Sequence, residues 1–275
     1  MARDTTNKYA VVTGSNKGIG LETVRQLASN GITVVLTARD ENKGLDAVEK
    51  LKASGLSHHL VLFHKLDVTD PQSILSLAQF IKTQFGKLDI LVNNAGITGV
   101  KPNVDALQAS GYHVTKGDDA IDWNKFFTQD YELSVKCLET NYYGTEQTCE
   151  ALLPLLQLSD SPRIANLSSY VSALKDFPEK ARKVARRCRK PYRRENRNAY
   201  KVSKAAINAY TRVLAKRDPE MCVNCVCPGF VKTDINFNSG TLTVEEGAES
   251  PVRLALLPDG GPTGRFFSCK EEAPF

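Results

Sequence analysis

The chain has 275 residues, of which 41% are hydrophobic, so it can bury a sizeable core and form one or two domains. No apolar run reaches the roughly 18 residues of a transmembrane helix, and the N-terminus lacks the apolar segment of a signal peptide. The net charge is +5, but residues 180–197 alone hold ten Lys or Arg and one Glu, a sum of +9, so the rest of the chain carries −4. This distribution argues against a generally basic nucleic-acid binder. We therefore expect a cytoplasmic protein.

The seven cysteines do not point to a disulfide framework, because disulfides are rare in cytosolic proteins. Cys222, Cys225 and Cys227 are close enough in sequence to suggest a metal site. However, no second pair of Cys or His lies nearby to complete a ligand set. Residues 221–226 instead resemble a buried strand in which cysteine acts as a small apolar residue. We predict no metal site.

The first 40 residues contain a strand, a glycine-rich turn, a helix and a second strand. Residues 8–13 and 33–37 are the predicted strands, and the turn has the spacing Gly14-x3-Gly18-x-Gly20. Such a turn lets the backbone approach a pyrophosphate, which then lies at the helix N-terminus. The unit predicts dinucleotide binding, and the alternative is an ordinary tight turn between strand and helix.

The end of the second strand bears on the choice of cofactor. NAD sites usually place an acid there, where it binds the ribose 2′-hydroxyl. This chain has Arg39, and Lys17 lies in the glycine turn. Two cations suit a 2′-phosphate, which favours NADP(H). Asp40, the residue after Arg39, is an acid near this position and is a competing indication for NAD. The alternative is that both cations are solvated surface charges.

Strands and helices continue to alternate through the rest of the chain. This order predicts a single α/β domain, with a doubly wound parallel sheet of the Rossmann type. Asp67, after the third strand, could accept a hydrogen bond from an adenine amino group or act as a turn acid. Residues 97–126 interrupt the order and predict an inserted loop with a short helix beside the site. The remaining predicted strands are residues 60–66, 88–92, 163–167, 222–227 and 265–268, and the predicted helices are residues 72–85, 130–156, 200–214 and 244–257.

Tyr200 and Lys204 lie four residues apart in a predicted helix and therefore share one face. A neighbouring cation lowers the pKa of a phenol, which would make Tyr200 a usable proton donor and acceptor near neutral pH. Tyr-x3-Lys is a weak motif by itself, because most such pairs belong to an ordinary helix surface.

Several motifs occur in a fixed order along nearly the whole chain: Thr13-Gly14-x3-Gly18-x-Gly20, Asp67, Asn93-Asn94-Ala95-Gly96, Asn141, Ser169, Tyr200-x3-Lys204 and Pro228-Gly229 with Thr233. Together they resemble the short-chain dehydrogenase/reductase family. Through the stretches 85–92, 141–144 and 254–262, the sequence is similar within this family to the plant group that contains salutaridine reductase and menthone (neomenthol) dehydrogenase. The insertion resembles one thought to cover the face that other members use to oligomerise, which implies a monomer.

The resemblance implies roles for four catalytic residues in carbonyl reduction. Tyr200 would protonate the carbonyl oxygen as hydride arrives from NADPH, and Ser169 would hydrogen-bond that oxygen. Lys204 would lower the pKa of Tyr200 and hold the nicotinamide ribose, while Asn141 would bind a water that relays protons to Lys204. Further cofactor contacts are implied for Gly14, Asn16, Lys17, Gly18, Ile19, Gly20, Arg39, Asp67, Val68, Asn93, Ala95, Gly96, Pro228, Gly229, Val231 and Thr233. Thr233 would bind the carboxamide and Asn93 the adenosine side.

The segment 170–199 departs from the plant group, in which a longer helical flap covers the substrate. Its core, residues 178–190, has the spacing of an amphipathic helix with a strongly basic face. This helix could pack over the cleft as a solvated element or bind an anionic membrane or nucleic acid. The resemblance favours an NADPH-dependent reductase of an apolar cyclic ketone. The alternative is a non-catalytic NADP(H)-binding protein disabled by the shortened flap.

Overall fold

The computed structural model describes residues 7–57, 59–103, 105–106, 125–172 and 198–275. Its centre is an eight-stranded sheet with the strand order β10-β9-β8-β7-β4-β1-β2-β3. All pairings in this sheet are parallel except that of β10 with β9. The strands are β1 (Tyr9–Val12), β2 (Thr33–Ala38), β3 (Val61–Lys65), β4 (Ile90–Asn93), β7 (Arg163–Leu167), β8 (Cys222–Cys227), β9 (Phe266–Ser268) and β10 (Glu271–Ala273).

Helices cover both faces of the sheet, because successive side chains of a buried strand point to opposite faces. The helices are α1 (Gly18–Ser29), α2 (Glu41–Ala53), α3 (Pro71–Phe85), α4 (Tyr131–Leu138), α5 (Gly144–Leu156), α6 (Asn198–Arg217) and α7 (Val244–Ala255). Val12 and Leu36 belong to the core on the side of α1, α2 and α7, whereas Val11 and Val35 belong to the core on the side of α3, α5 and α6. The predicted doubly wound α/β fold is confirmed.

Side-chain caps fix where several helices begin. The carboxylates of Asp40, Asp70 and Asp130 accept hydrogen bonds from backbone N–H groups in the first turns of α2, α3 and α4. Thr243 and Glu246 form a reciprocal capping box at the start of α7. These caps hold the connections that follow the strands and so define the edge of the sheet where the candidate site lies.

The structure also differs from the sequence prediction in four places. Helix α2 and the antiparallel edge strand β10 were not predicted individually. The helix predicted over residues 130–156 is interrupted by one π-helical turn, Glu139–Tyr143, between α4 and α5. In the described part of the insertion, β5 (Lys101–Pro102) pairs antiparallel with β6 (Phe127–Thr128), which directly follows the insertion, and residues 105–106 are helical. The amphipathic helix predicted for residues 178–190 lies outside the described residues.

The cysteine-rich segment forms strand β8, in agreement with the prediction of a buried strand rather than a metal site. Cys222, Cys225 and Cys227 are all buried, and their positions on the strand place Cys222 on the opposite face from the other two. Within the described ranges, no cluster of three or more His, Cys, Asp or Glu side chains could hold a metal ion. Among the helices that the structure describes, none combines the length and apolar character needed to cross a membrane.

Candidate active site

A cleft of about 780 Å³ opens along the carboxyl ends of β1, β2, β4, β7 and β8. In parallel α/β sheets this edge is the usual place for a ligand. The cleft therefore brings together most of the residues that the sequence selected. Those lining it are Gly14, Asn16, Lys17, Gly18, Ile19, Arg39, Val68, Ala95, Gly96, Ser169, Tyr200, Lys204, Pro228, Gly229, Val231 and Thr233.

The glycine turn between β1 and α1 is shaped by close backbone approaches. Gly14 has a φ of 60°, and a Cβ atom there would lie 2.9 Å from the Cα of Ala95. A Cβ at Gly20 would lie 2.4 Å from the amide nitrogen of Asn94. That amide donates to the carbonyl oxygens of Thr13 and Gly14, both at 2.9 Å. Gly20 is thus required for packing of the turn and is not among the described residues that line the cleft.

The N-terminus of α1 faces the cleft with its backbone donors uncapped. In the described chain, no side-chain hydrogen bond caps this helix at Lys17, and its first turn contains no acid. The capped starts of α2, α3, α4 and α7 contrast with this arrangement. Unpaired N–H groups at a helix start attract anions, and the glycine turn leaves room for a phosphate to approach them. The turn therefore fits the pyrophosphate of a dinucleotide cofactor.

The charged residues predicted to select the cofactor have different partners. Arg39 is exposed and lines the cleft at the end of β2. Asp40, the competing indication for NAD, caps α2 through Lys43 N and lies 3.5 Å from the Lys43 ammonium. Lys17 forms a 2.6 Å ion pair with Asp234 in the loop after β8. The Asp40 carboxylate thus interacts with the first turn of α2, while Arg39 lines the cleft.

Two predicted cofactor contacts, Asn93 and Asp67, are not among the described residues that line the cleft. Asn93 is 4% exposed, and its amide donates to Asn166 Oδ1 at 2.8 Å inside the sheet. It therefore joins β4 to β7, and Asn94, the next residue, lines the cleft instead. Asp67 Oδ1 accepts hydrogen bonds from the backbone N–H and hydroxyl of Thr69, at 2.9 and 2.8 Å, as expected of a turn acid. A contact of this carboxylate with an adenine amino group stays a prediction.

Tyr200, Ser169 and Lys204 converge on one part of the cleft. The side chains of Ser169 and Tyr200 are hydrogen-bonded to each other. The Lys204 ammonium lies 5.6 Å from the centre of the Tyr200 ring and donates to the carbonyl oxygen of Leu167 at 2.8 Å. Of the two adjacent serines, Ser168 is 3% exposed and donates to Asn208 Oδ1, which leaves Ser169 as the partner of Tyr200.

Burial changes the pKa values of Tyr200 and Lys204 in a way that the sequence did not predict. Burial raises the pKa of the Tyr200 phenol above its ordinary value, although the hydrogen bond with Ser169 opposes this. Burial also lowers the pKa of the Lys204 ammonium to about 8. Burial of the phenol thus opposes any lowering of its pKa by a neighbouring cation, and the effect of Lys204 on the pKa of Tyr200 stays a prediction.

Asn141 lies in the π-helical turn and is fully buried. Its amide oxygen accepts from the backbone N–H of Ile97 at 2.8 Å, and its amide nitrogen donates to the Ile97 carbonyl at 2.9 Å and to the Ser203 hydroxyl at 3.0 Å. A Cβ at Gly96 would lie 3.3 Å from Asn141 Oδ1 and 3.6 Å from the Lys204 ammonium. Asn141 thus fixes the segment after β4 beside Lys204.

The sequence prediction missed most of the apolar wall of the cleft. This wall includes the described residues Ile97, Tyr170, Val171, Phe230, Ile235 and Phe237. Phe237 has a φ of 57°, and its ring lies 5.5 Å from the ring of Phe127 in β6. The sequence predicts only that residues 97–126, 170–199 and 235–250 shape the pocket. No pattern in these loops shows which side chains face inward.

Comparison with known proteins gives a consistent result. The family model described as short chain dehydrogenase matches residues 8–181. The chain is 52% identical to (+)-neomenthol dehydrogenase of Arabidopsis thaliana, over 98% of this chain and 99% of the relative. The structure of salutaridine reductase from Papaver somniferum is similar with a TM-score of 0.83 and 46% identity, covering 95% of this chain and 99% of that one. Menthone neomenthol reductase from Mentha piperita follows with a TM-score of 0.77 and 40% identity, covering 97% and 100%.

Proposed function

Because the chain belongs to the short-chain dehydrogenase family, we propose that it is an NADPH-dependent reductase that converts an apolar cyclic ketone to the alcohol, reversibly. The observation that carries this proposal is the convergence of Tyr200, Ser169 and Lys204 on the cleft that the glycine turn opens. The names of the similar plant enzymes support a terpenoid-like or alkaloid-like substrate. We also infer that the enzyme works as a cytoplasmic monomer.

Tyr200 acts as the acid in the direction of reduction. Because burial raises the pKa of its phenol, the hydroxyl is protonated at neutral pH and can donate its proton to a carbonyl oxygen. Ser169 hydrogen-bonds the same oxygen and so stabilises the negative charge that develops there. A nicotinamide cofactor bound in the cleft would supply the hydride.

Lys204 and Asn141 position the proton donor and its surroundings. Lys204 is anchored at the end of β7 by the Leu167 carbonyl, with its ammonium beside the Tyr200 ring. In the reductase it would hold the ribose hydroxyls of the cofactor and stabilise the tyrosinate that remains after proton transfer. The hydrogen bonds of Asn141 with Ile97 set the segment next to Lys204, where a water would return a proton to the Lys204 amine after the ammonium has given one up.

The cofactor preference rests on the charges at the two sides of the glycine turn. Arg39 and Lys17 both line the cleft and suit a 2′-phosphate, whereas Asp40 is occupied by Lys43 and the cap of α2. The apolar wall with Ile235 and Phe237 supports an apolar substrate rather than a charged one.

The test is the oxidation of NADPH, with NADH in parallel, against a panel of cyclic ketones that includes menthone. We expect turnover with NADPH that is lost in Tyr200→Phe, while NADPH still binds to this variant. Tyr143→Phe is the matched control, because Tyr143 is 48% exposed and is not among the described residues lining the cleft. Binding of NADPH without turnover on any ketone would contradict the reductase and support a non-catalytic NADP(H)-binding protein.

A further inference from the structure

The ion pair of Lys17 and Asp234 joins the two sides of the cofactor cleft. Lys17 belongs to the glycine turn, and Asp234 begins a 3₁₀ turn, Asp234–Asn236, in the loop after β8. Their charged atoms lie 2.6 Å apart, and the side chains are 65% and 64% exposed. Both side chains line the cleft. Since both are largely solvated, the two groups can separate without leaving a buried unpaired charge.

The order of the strands shows that this pair draws Lys17 toward one side of the cleft. The turn that carries Lys17 follows β1, and β2, with Arg39 at its end, lies directly beside β1. Strand β8, which precedes Asp234, lies on the other side of β1, beyond β4 and β7. The ion pair therefore directs Lys17 toward the β8 side and away from Arg39.

Asp234 is held in place independently of Lys17. In the 3₁₀ turn, Asn236 Oδ1 accepts from the Thr233 N–H at 3.2 Å and the Asn236 amide donates to the Val231 carbonyl at 2.8 Å. The Asn238 side chain is hydrogen-bonded to the Asp234 carboxylate. The backbone N–H of Asn238 also donates to the Thr233 carbonyl at 2.9 Å. The carboxylate therefore remains at the cleft when Lys17 turns away from it.

A carboxylate is unfavourable in this position if the ligand carries phosphates. Lys17, Arg39, Lys204 and Lys232 give the cleft a positive lining, and among the described residues Asp234 is its one carboxylate. It pairs with a cation that a 2′-phosphate would otherwise attract. A phosphate that binds Lys17 must therefore displace Asp234 first, and this cost reduces the gain from the new contact.

We propose that Asp234 is a specificity-determining residue that weakens the preference of the cleft for the 2′-phosphorylated cofactor by competing for Lys17. This inference rests on the proposed NADPH-dependent function. An exposed ion pair has a modest effect, so removing the carboxylate should tighten NADPH binding about two- to five-fold. NADH has no 2′-phosphate, so its binding should change much less.

The experiment measures the dissociation constants of NADPH and NADH by fluorescence titration at low and physiological salt. Asp234→Asn should lower the NADPH constant about two- to five-fold, and less at the higher salt concentration, because salt screens exposed charges. Glu49→Gln is the matched control, because Glu49 is an exposed carboxylate that pairs with Lys52 on α2 outside the cleft. It removes the same charge from the chain and should leave both constants unchanged.

A double-mutant cycle separates competition for Lys17 from a general charge effect. In a Lys17→Met background, Asp234→Asn should lose its effect on NADPH binding. Three results would overturn the inference and leave the proposed function standing. Asp234→Asn could tighten the binding of NADH and NADPH equally, could tighten neither, or could tighten NADPH binding in the Lys17→Met background as well. Failure of the unaltered protein to bind NADPH would overturn both.

Discussion

Replacing Lys204 with methionine tests whether this ammonium is desolvated in the folded protein. Lys204 is 5% exposed, and burial lowers its pKa from 10.5 to about 8. The unfolded chain therefore binds more protons than the folded chain between about pH 8 and pH 10.5, so stability rises with pH in this window. Below about pH 8 the ammonium destabilises the folded state in full. Methionine keeps much of the side-chain length without the charge.

The size of the effect follows from the two pKa values. Between about pH 7.5 and about pH 9.5 the wild type should gain about 2 kcal/mol of unfolding free energy relative to Lys204→Met, at about 1.4 kcal/mol per pKa unit. The neighbouring thiols titrate in the opposite sense, because burial raises the pKa of Cys137 to about 11 and also raises that of Cys227, so their ionisation in the unfolded chain lowers stability as pH rises. Both proteins contain these thiols, so this contribution cancels in the difference between them.

The assay is urea unfolding of both proteins across this pH range, which compares the difference between them and so cancels titrations that they share. Lys216→Met is the control, because Lys216 is exposed on the same helix, α6. A difference between wild type and Lys204→Met that does not vary with pH would refute the argument, because Lys204 would then titrate alike in the folded and unfolded chains.

Three further substitutions test the cofactor cleft and the fold. Arg39→Ala should weaken NADPH binding roughly ten- to a hundred-fold in fluorescence titrations, and NADH binding much less, because a charge-assisted hydrogen bond contributes about 1.5–3 kcal/mol. Gly20→Ala should cost about 1–3 kcal/mol in urea unfolding, because its Cβ would collide with the amide of Asn94; an unchanged midpoint would contradict the close approach. Arg163→Met should cost about 1–3 kcal/mol in the same assay, because the guanidinium is 4% exposed and donates twice to the Leu257 carbonyl. Equal stability would show that this carbonyl finds another donor.

The sheet could be predicted from the sequence because its strands are short apolar runs followed by turn residues. The strand predicted over residues 222–227 coincides with β8, and the helix predicted over residues 200–214 lies within α6. Helix α2 is less apparent, because its exposed face is highly charged and its buried face is narrow. Strand β10 was missed because its sequence, Glu271–Ala273, is mostly polar and it lies at the edge of the sheet.

The sequence predicted the parts of the site that local backbone geometry determines. It did not predict the properties that depend on contacts between side chains distant in the chain. The glycine turn and the Tyr200–Lys204 spacing follow from local geometry, so the sequence was sufficient to place them. The pKa of Tyr200 depends on how many atoms surround the phenol, which spacing along a helix does not reveal. The partner of Lys17 is 217 residues away in the chain and appears only when the loop after β8 folds against the turn.

The contact of Phe127 with Phe237 has a consequence for how substrate choice could be altered. Phe237 lines the cleft, whereas Phe127 is 6% exposed, packs against that ring and is not among the described residues that line the cleft. Mutations at the two positions should therefore be epistatic, since a smaller residue at 127 changes which rings fit at 237. Engineering of selectivity in this protein should vary both positions together in one library rather than restrict randomisation to residues that touch the ligand.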